Sequence, residues 1–234
     1  MNNLKNIILI TIAIVFSLTV MAGDVEDGDA AFNKKDYVTS LTKYKSAAEK
    51  NNAFAQTMVG AMYHEGLGVK QDYAEAVRWY KLAAAQGYAS AQYNLGLSYR
   101  NGQGVVQDYT EAVHWYKLAA AQGHASAQSN LGVMYAKGQG VVQDYAEAVR
   151  WYKLAATQGI ALAQSNLGVM YGTGQGVVQD HTRAHMWFNL AAVKGDAGAV
   201  KNRDIAAKQM TSQQISEAQK LARECQSRNF KNCD

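Results

Sequence analysis

The sequence predicts an all-α fold of stacked antiparallel helix hairpins. Three observations carry this: self-similarity at a 36-residue period, helix-start and helix-stop residues at fixed places in each unit, and apolar residues at helical spacing. The unit YxEAVxWYKLAAxQGxAxAQxNLGxxYxxGQGVVQD recurs from about residue 37 to about residue 195, with copies starting near Tyr37, Tyr73, Tyr109, Tyr145 and His181. Trp79, Trp115, Trp151 and Trp187 keep the register, as do Gly60, Gly96, Gly132 and Gly168. Units of this length cannot bury a hydrophobic face alone and must stack, so function is expected from a surface rather than a single cleft.

Within a unit, the first helix is expected from Tyr73 to Gln86. Asp72 followed three residues later by Glu75 has the spacing of a capping box, repeated at Asp108/Glu111 and Asp144/Glu147. Gly87 supplies the left-handed residue that ends the helix. Tyr73, Val77, Tyr80 and Ala84 form one buried stripe, and Ala76 and Ala83 leave room for a close neighbour. The second helix, from about Ala89 to Arg100, presents Ala91, Leu95 and Tyr99. Gly96 inside it costs about 1 kcal/mol relative to alanine, and its return in four copies predicts that another helix approaches there. The connection Asn101–Asp108 is rich in glycine but follows a helix and lacks a preceding strand or a Gly-Lys-Ser/Thr ending. It therefore reads as turn chemistry rather than a phosphate cradle.

The ends differ from the middle. In the first copy Lys43-Tyr44 replaces Trp-Tyr, and the fifth loses its pattern after Ala199, as expected where an end face meets water instead of a neighbour. The domain organisation is thus a leader over 1–22, an N-terminal capping segment over 23–36, the repeat array over 37–195 and C-terminal capping helices with a disulfide tail over 196–234.

Lys5, the apolar run from Ile7 to Val20 and the closing Val20-Met21-Ala22 describe a secretory signal peptide cleaved after Ala22; an uncleaved membrane anchor is the alternative. Cleavage removes one lysine and leaves 22 basic and 19 acidic residues, a formal charge of +3. The excess is uneven, with 13 basic against 14 acidic groups in 23–180 and 9 against 5 in 181–234. A basic C-terminal cap admits a weak anionic partner, but no continuous basic stripe marks a nucleic-acid binder. Cys225 and Cys233 lie eight positions apart, and in an oxidising compartment they are expected to form one local disulfide; free thiols and intermolecular bridges are the alternatives.

The pattern AxxWYxxAAxQGxAxAQxNLGxxYxxGxGVxxD resembles the Sel-1-like repeat, a relative of the tetratricopeptide repeat with a slightly longer unit, over residues 37–195. The stretch Met210–Ile215 and the following Ala218–Arg223 are similar to the helix that closes many bacterial members. The resemblance implies a right-handed α-solenoid that acts as a scaffold or adaptor for protein complexes. Bacterial members are often exported and serve envelope signalling, envelope maintenance or host contact. Some cysteine-rich members with a disulfide in each unit are associated with β-lactam binding or hydrolysis; this chain has no cysteine in its repeats, so that activity does not carry over.

Candidate chemistry in the residues is sparse. Ser40 and Lys43 have a Ser-x-x-Lys spacing but no accompanying Ser-Asp-Asn or Lys-Thr-Gly. His181 and His185 could share a helix face and a metal, yet no third ligand accompanies them, and neither a metal nor any other cofactor is expected. The tryptophans could form an aromatic ladder for a ligand, but large aromatics at helical spacing more often make inter-repeat core. What is left is the exposed face of the first helices. There, by analogy with tetratricopeptide arrays, Glu75, Arg78 and Lys81, with their equivalents including His114 and Arg150, are candidate contacts for a protein or peptide partner. The functional expectation is a non-catalytic interaction scaffold of the bacterial cell envelope, periplasmic or secreted. An envelope enzyme acting on cell-wall peptide or β-lactam, or a secreted host-interaction factor, is the alternative.

Overall fold

The computed structural model describes residues 23–231 and Cys233. The expected signal peptide and its expected cleavage after Ala22 lie outside the described residues. Among these residues there are twelve helices and no strand. They form an all-α repeat solenoid, as the 36-residue register predicts. The chain divides into two compact units, residues 1–107 and 108–234, and each is described separately.

The first unit contains α1 (residues 23–33), α2 (Tyr37–Glu49), α3 (Ala53–Glu65), α4 (Tyr73–Ala85) and α5 (Ala89–Asn101). Hairpins α2/α3 and α4/α5 stack through α3 and α4. Each first helix starts at an aspartate in the expected place: the Asp36 side chain accepts from the Thr39 amide and that of Asp72 from the Glu75 amide at 3.0 Å. The reciprocal half of the expected capping box is not made at Asp72, because the Glu75 carboxylate turns forward to Arg78 and Trp79. Of the expected stripe, Val77, Tyr80 and Ala84 are buried, with Ala76 and Ala83 beside them, while Tyr73 in the first turn is only half-buried.

The mid-helix glycine has a specific reason. A Cβ at Gly60 of α3 would lie 2.7 Å from the Tyr80 ring of α4, so the glycine is the seat of an aromatic ring from the next hairpin. α1 copies the device: a Cβ at Gly28 would lie 2.8 Å from the Tyr44 ring. Around that contact Ser40 donates to the Gly28 carbonyl at 3.0 Å, and Lys43 and Lys50 pair with Asp27 and Asp24. The connection opens with two left-handed glycines, Gly102 (φ 69°) and Gly104 (φ 72°), and any Cβ on Gly104 would run into the Tyr73 carbonyl.

The second unit contains α6 (Tyr109–Ala121), α7 (Ala125–Lys137), α8 (Tyr145–Ala156), α9 (Ala161–Thr173), α10 (His181–Val193), α11 (Ala197–Ala207) and α12 (Ser212–Ser227). The glycine seats recur, Gly132 under Tyr152 and Gly168 under Phe188. α11 and α12 both pack on α10, and α12 starts with a complete capping box between Thr211 and Gln214. The Cys225 and Cys233 sulfurs lie 2.03 Å apart with Cα atoms 5.0 Å apart, a disulfide-capable pair at the end of α12.

Each unit contains the same buried glutamine twice. Gln56, Gln92, Gln128 and Gln164 each donate Nε2 to the carbonyl eight residues earlier, Ala48, Ala84, Ala120 and Ala156, at the end of the preceding helix. Such carbonyls lack the usual i+4 helical partner; each accepts from the backbone amide three residues on, and the buried glutamine amide takes a second position on the same oxygen. Gln86 adds a donor to Gln56 Oε1 at 2.7 Å and Gln158 one to Gln128 Oε1 at 2.8 Å.

Candidate interaction surface

The candidate residues fall on the outward faces of the first helices, held by contacts within their own helix. In α4, the Arg78 guanidinium donates Nε to Glu75 Oε2 at 2.9 Å and Nη2 to Oε1 at 2.6 Å, while Trp79 Nε1 donates to the same Oε1 at 2.8 Å. The guanidinium also stands over the Trp79 ring, 4.4 Å from its centroid. These contacts set the charges: the Arg78 hydrogen bond holds the Glu75 carboxyl below its ordinary value, and Glu75 raises the Arg78 guanidinium. The side chain stays exposed, so its fixed orientation matters more than the small energy of a surface ion pair. Lys81 is exposed one turn further on.

In the second unit Arg150 of α8 repeats the ion pair and the stacking, while the Trp151 indole N–H makes no bond to the glutamate. Arg150 pairs with Glu147 at 3.3 Å and stands 4.7 Å over the Trp151 ring. His114 of α6 has the same register and meets the Trp115 ring edge-on at 5.0 Å. Thus each variable position rests on the tryptophan that follows it. Glu75, Arg78 and Lys81 lie in the first unit and His114 and Arg150 in the second, on helices of equivalent register.

The tryptophans sit mainly inside: Trp79 and Trp187 are buried, Trp115 and Trp151 half-buried under the cation or imidazole. A second recurring feature is carried by tyrosines that the repeat pattern displays but whose role needs tertiary contacts. Lys45 donates to the Tyr63 hydroxyl at 2.7 Å, and Lys117 and Lys153 lie over the rings of Tyr135 and Tyr171 at 5.6 and 5.7 Å. Arg183 approaches the Tyr171 ring as well, also at 5.7 Å. The sequence signal is that lysine and tyrosine recur in step at 36 residues, 18 apart within a hairpin.

The other candidates do not assemble into chemistry. Ser40 is fully buried with its hydroxyl on the Gly28 carbonyl, and the Lys43 amine is taken by Asp27. His185 is buried with Nδ1 against Asn189 at 3.0 Å, and no group of three or more His, Cys, Asp or Glu that could hold a metal gathers among the described residues. Among them, too, no helix is long and apolar enough to cross a membrane.

The model of the Sel1 repeat matches residues 53–88, 89–124, 125–160 and 161–196, the same 36-residue unit taken from the second helix of one hairpin to the first helix of the next. Among solved structures, the chain is similar to a protective antigen present in uropathogenic Escherichia coli strains that displays an SLR fold. That match has a TM-score of 0.78 and 35% identity and covers 91% of this chain and 47% of that one, so this chain spans about half the antigen's length. It is also similar to a Sel1 repeat protein from Oxalobacter formigenes, with a TM-score of 0.70 and 34% identity over 84% of each chain. A sel1 repeat protein from Klebsiella pneumoniae subsp. pneumoniae shares the fold at a TM-score of 0.53 and 20% identity, covering 80% of this chain and 93% of that one. Comparison with curated proteins found no match. Sel1 repeat proteins are generally protein-interaction scaffolds and typically non-catalytic. With four matched repeats covering more than half of its length, this chain belongs to the Sel1 repeat family.

Proposed function

We propose that the protein is a non-catalytic interaction scaffold of the bacterial cell envelope, exported by its N-terminal leader and holding a protein or peptide partner on the exposed faces of its first helices. The observation that carries the reading is the recurrence, 72 positions apart in the sequence, of an exposed arginine stacked on tryptophan and aimed by a glutamate three residues earlier, at Arg78 and Arg150. Pre-oriented arginine on an aromatic platform loses little conformational freedom on binding and suits a partner's carboxylates or backbone carbonyls. Variation at this register, with His114 between the two arginines, matches a surface that packing leaves free and a partner can select. The disulfide-capable pair and the similarity to a protein described as a protective antigen both support an exported location.

The test is crosslinking in the native envelope followed by mass spectrometry, repeated with Arg78→Ala, His114→Ala and Arg150→Ala. The expected result is loss of specific captured partners while circular dichroism and thermal unfolding stay unchanged; an unaltered partner set overturns this surface. Nitrocefin hydrolysis or zymographic turnover that disappears in Ser40→Ala would overturn the non-catalytic reading. Cell fractionation separates a resident envelope adaptor from a secreted host-interaction factor, since a predominantly extracellular pool excludes the first.

A further inference from the structure

The repeat register breaks most sharply in α11. Leu95, Leu131 and Leu167 occupy one register and are fully buried; the residue 36 positions after Leu167 is Arg203. The buried glutamine is lost as well, because Val200 stands where Gln164 and its equivalents stand. These exchanges do not simply face open water. α11 and α12 each pack on α10 and leave between them a cleft of about 430 Å³, a size suited to a few side chains of a ligand.

The cleft has an apolar floor and cationic walls. Leu190 of α10 is buried beneath it, while Val193 and Val200 at its edge are 70% and 38% exposed. Arg203 enters from α11 and Arg223 from α12, with the amide of Gln226 one turn beyond, and no carboxylate lines the cleft. Arg203 is held at 2.9 Å and 3.0 Å by Asp204 Oδ1 alone, its own chain neighbour, which leaves further guanidinium N–H donors unengaged. Among the described residues, no carboxylate pairs with Arg223. Two guanidinium groups facing one apolar trough from different helices are suited to carboxylates flanking an apolar side chain, because planar guanidinium binds carboxylate through paired hydrogen bonds.

We propose that the cleft between α11 and α12 is a second binding site, distinct from the first-helix faces, for an acidic peptide segment whose carboxylates engage Arg203 and Arg223 and whose apolar side chain lies on Leu190, Val193 and Val200. The site gives one common role to two of the cap's nine basic residues, Arg203 and Arg223, and to its exposed valines.

Fluorescence anisotropy with a fluorescein-labelled peptide of alternating glutamate and leucine tests this on the full mature chain, with the glutamine-for-glutamate peptide as control. The acidic peptide is expected to bind, the glutamine peptide at least tenfold more weakly. Arg223→Gln, on the exposed side of α12, and Arg203→Gln should each weaken binding about tenfold with thermal midpoints unchanged, and Val193→Asp should abolish it. Arg78→Ala and Arg150→Ala should leave it intact. Should Arg203→Gln destabilise the cap, Arg223→Gln and Val193→Asp decide alone. Equal binding of both peptides, unchanged binding in Arg223→Gln and Val193→Asp, or loss of binding in Arg78→Ala instead overturns the cleft. Partners captured through Arg78 and Arg150 would then still support the scaffold reading.

Discussion

The two ends of this chain are finished in different ways. At the N-terminal end, α1 supplies a glycine seat for Tyr44, and its three aspartates are taken up: Asp24 by Lys50 and Ser46, Asp27 by Lys43, and Asp29 by the Tyr44 hydroxyl. At the C-terminal end the glycine seats stop at Gly168, an arginine takes the leucine register, and two guanidinium groups face a cleft. The first end behaves as a closure, with three carboxylates of α1 paired to groups of α2 or the residue after it. The second keeps unspent hydrogen-bonding capacity beside exposed apolar surface, which is what a binding site needs and a mere end cap does not.

The largest effect that can break this comparison is expected at the closed end. Tyr44→Ala removes a fully buried ring from its seat on Gly28 and should cost about 3–5 kcal/mol, read as a shifted denaturation midpoint. A loss below about 1 kcal/mol would mean that α1 is not a closure. At the other end, Cys225 and Cys233 close a loop with a separation of 8 residues, so reduction or Cys225→Ser with Cys233→Ser should cost about 2 kcal/mol and expose the end of α12 to proteolysis. Asp196→Ala, which removes the side chain that accepts from the Ala199 amide at the start of α11, should cost about 1 kcal/mol by the same measurement.

Acid should separate the ends as well. Burial, and secondarily the charge of Arg203, holds the His185 imidazole below its ordinary value, with Asp204 opposing. The folded state therefore disfavours the imidazolium, and this contribution to stability is intact above about pH 6.5, the unfolded value, and declines as pH falls below it. Asp24 is held below the ordinary carboxylate value by Lys50 and Ser46, so its contribution persists until pH falls below about 3.9. Between these limits, hydrogen exchange corrected for intrinsic rates should show α10 losing protection at pH 5 while α1 and α2 keep theirs. Equal losses would remove the distinction. The smallest effect is expected from Lys43→Gln, since its partner Asp27 is exposed and surface ion pairs contribute little; an unchanged denaturation curve is the expected reading.

Much of this was legible in the residues. The helices from Tyr73 and Ala89 end within one residue of where periodicity, Asp72 and Gly87 place them, because start and stop signals act over three or four positions. The equivalents of Gly96 at Gly60, Gly132 and Gly168 meet the close approach the repeat predicts, but which group approaches, a tyrosine or phenylalanine ring 20 residues on, needed the packed hairpins. The capping box was half right: the aspartate caps, but at Glu75 the carboxylate meets Arg78 and Trp79 instead, an outcome of side-chain competition that spacing does not rank. The buried glutamines stood in plain view in the repeat, yet their job was invisible because their partners lie at the end of another helix.

By itself, then, the sequence determined the unit, its two helices, their buried faces and the places where the pattern fails. All of these rest on interactions within a few residues and on a period that copies them. Only tertiary structure decided what the failures mean: that Gly28 rebuilds a repeat contact at one end, and that Arg203, Arg223, Val193 and Val200 converge at the other. Convergence joins residues from three helices, and the path by which α12 returns onto α10 depends on the packing of the whole cap.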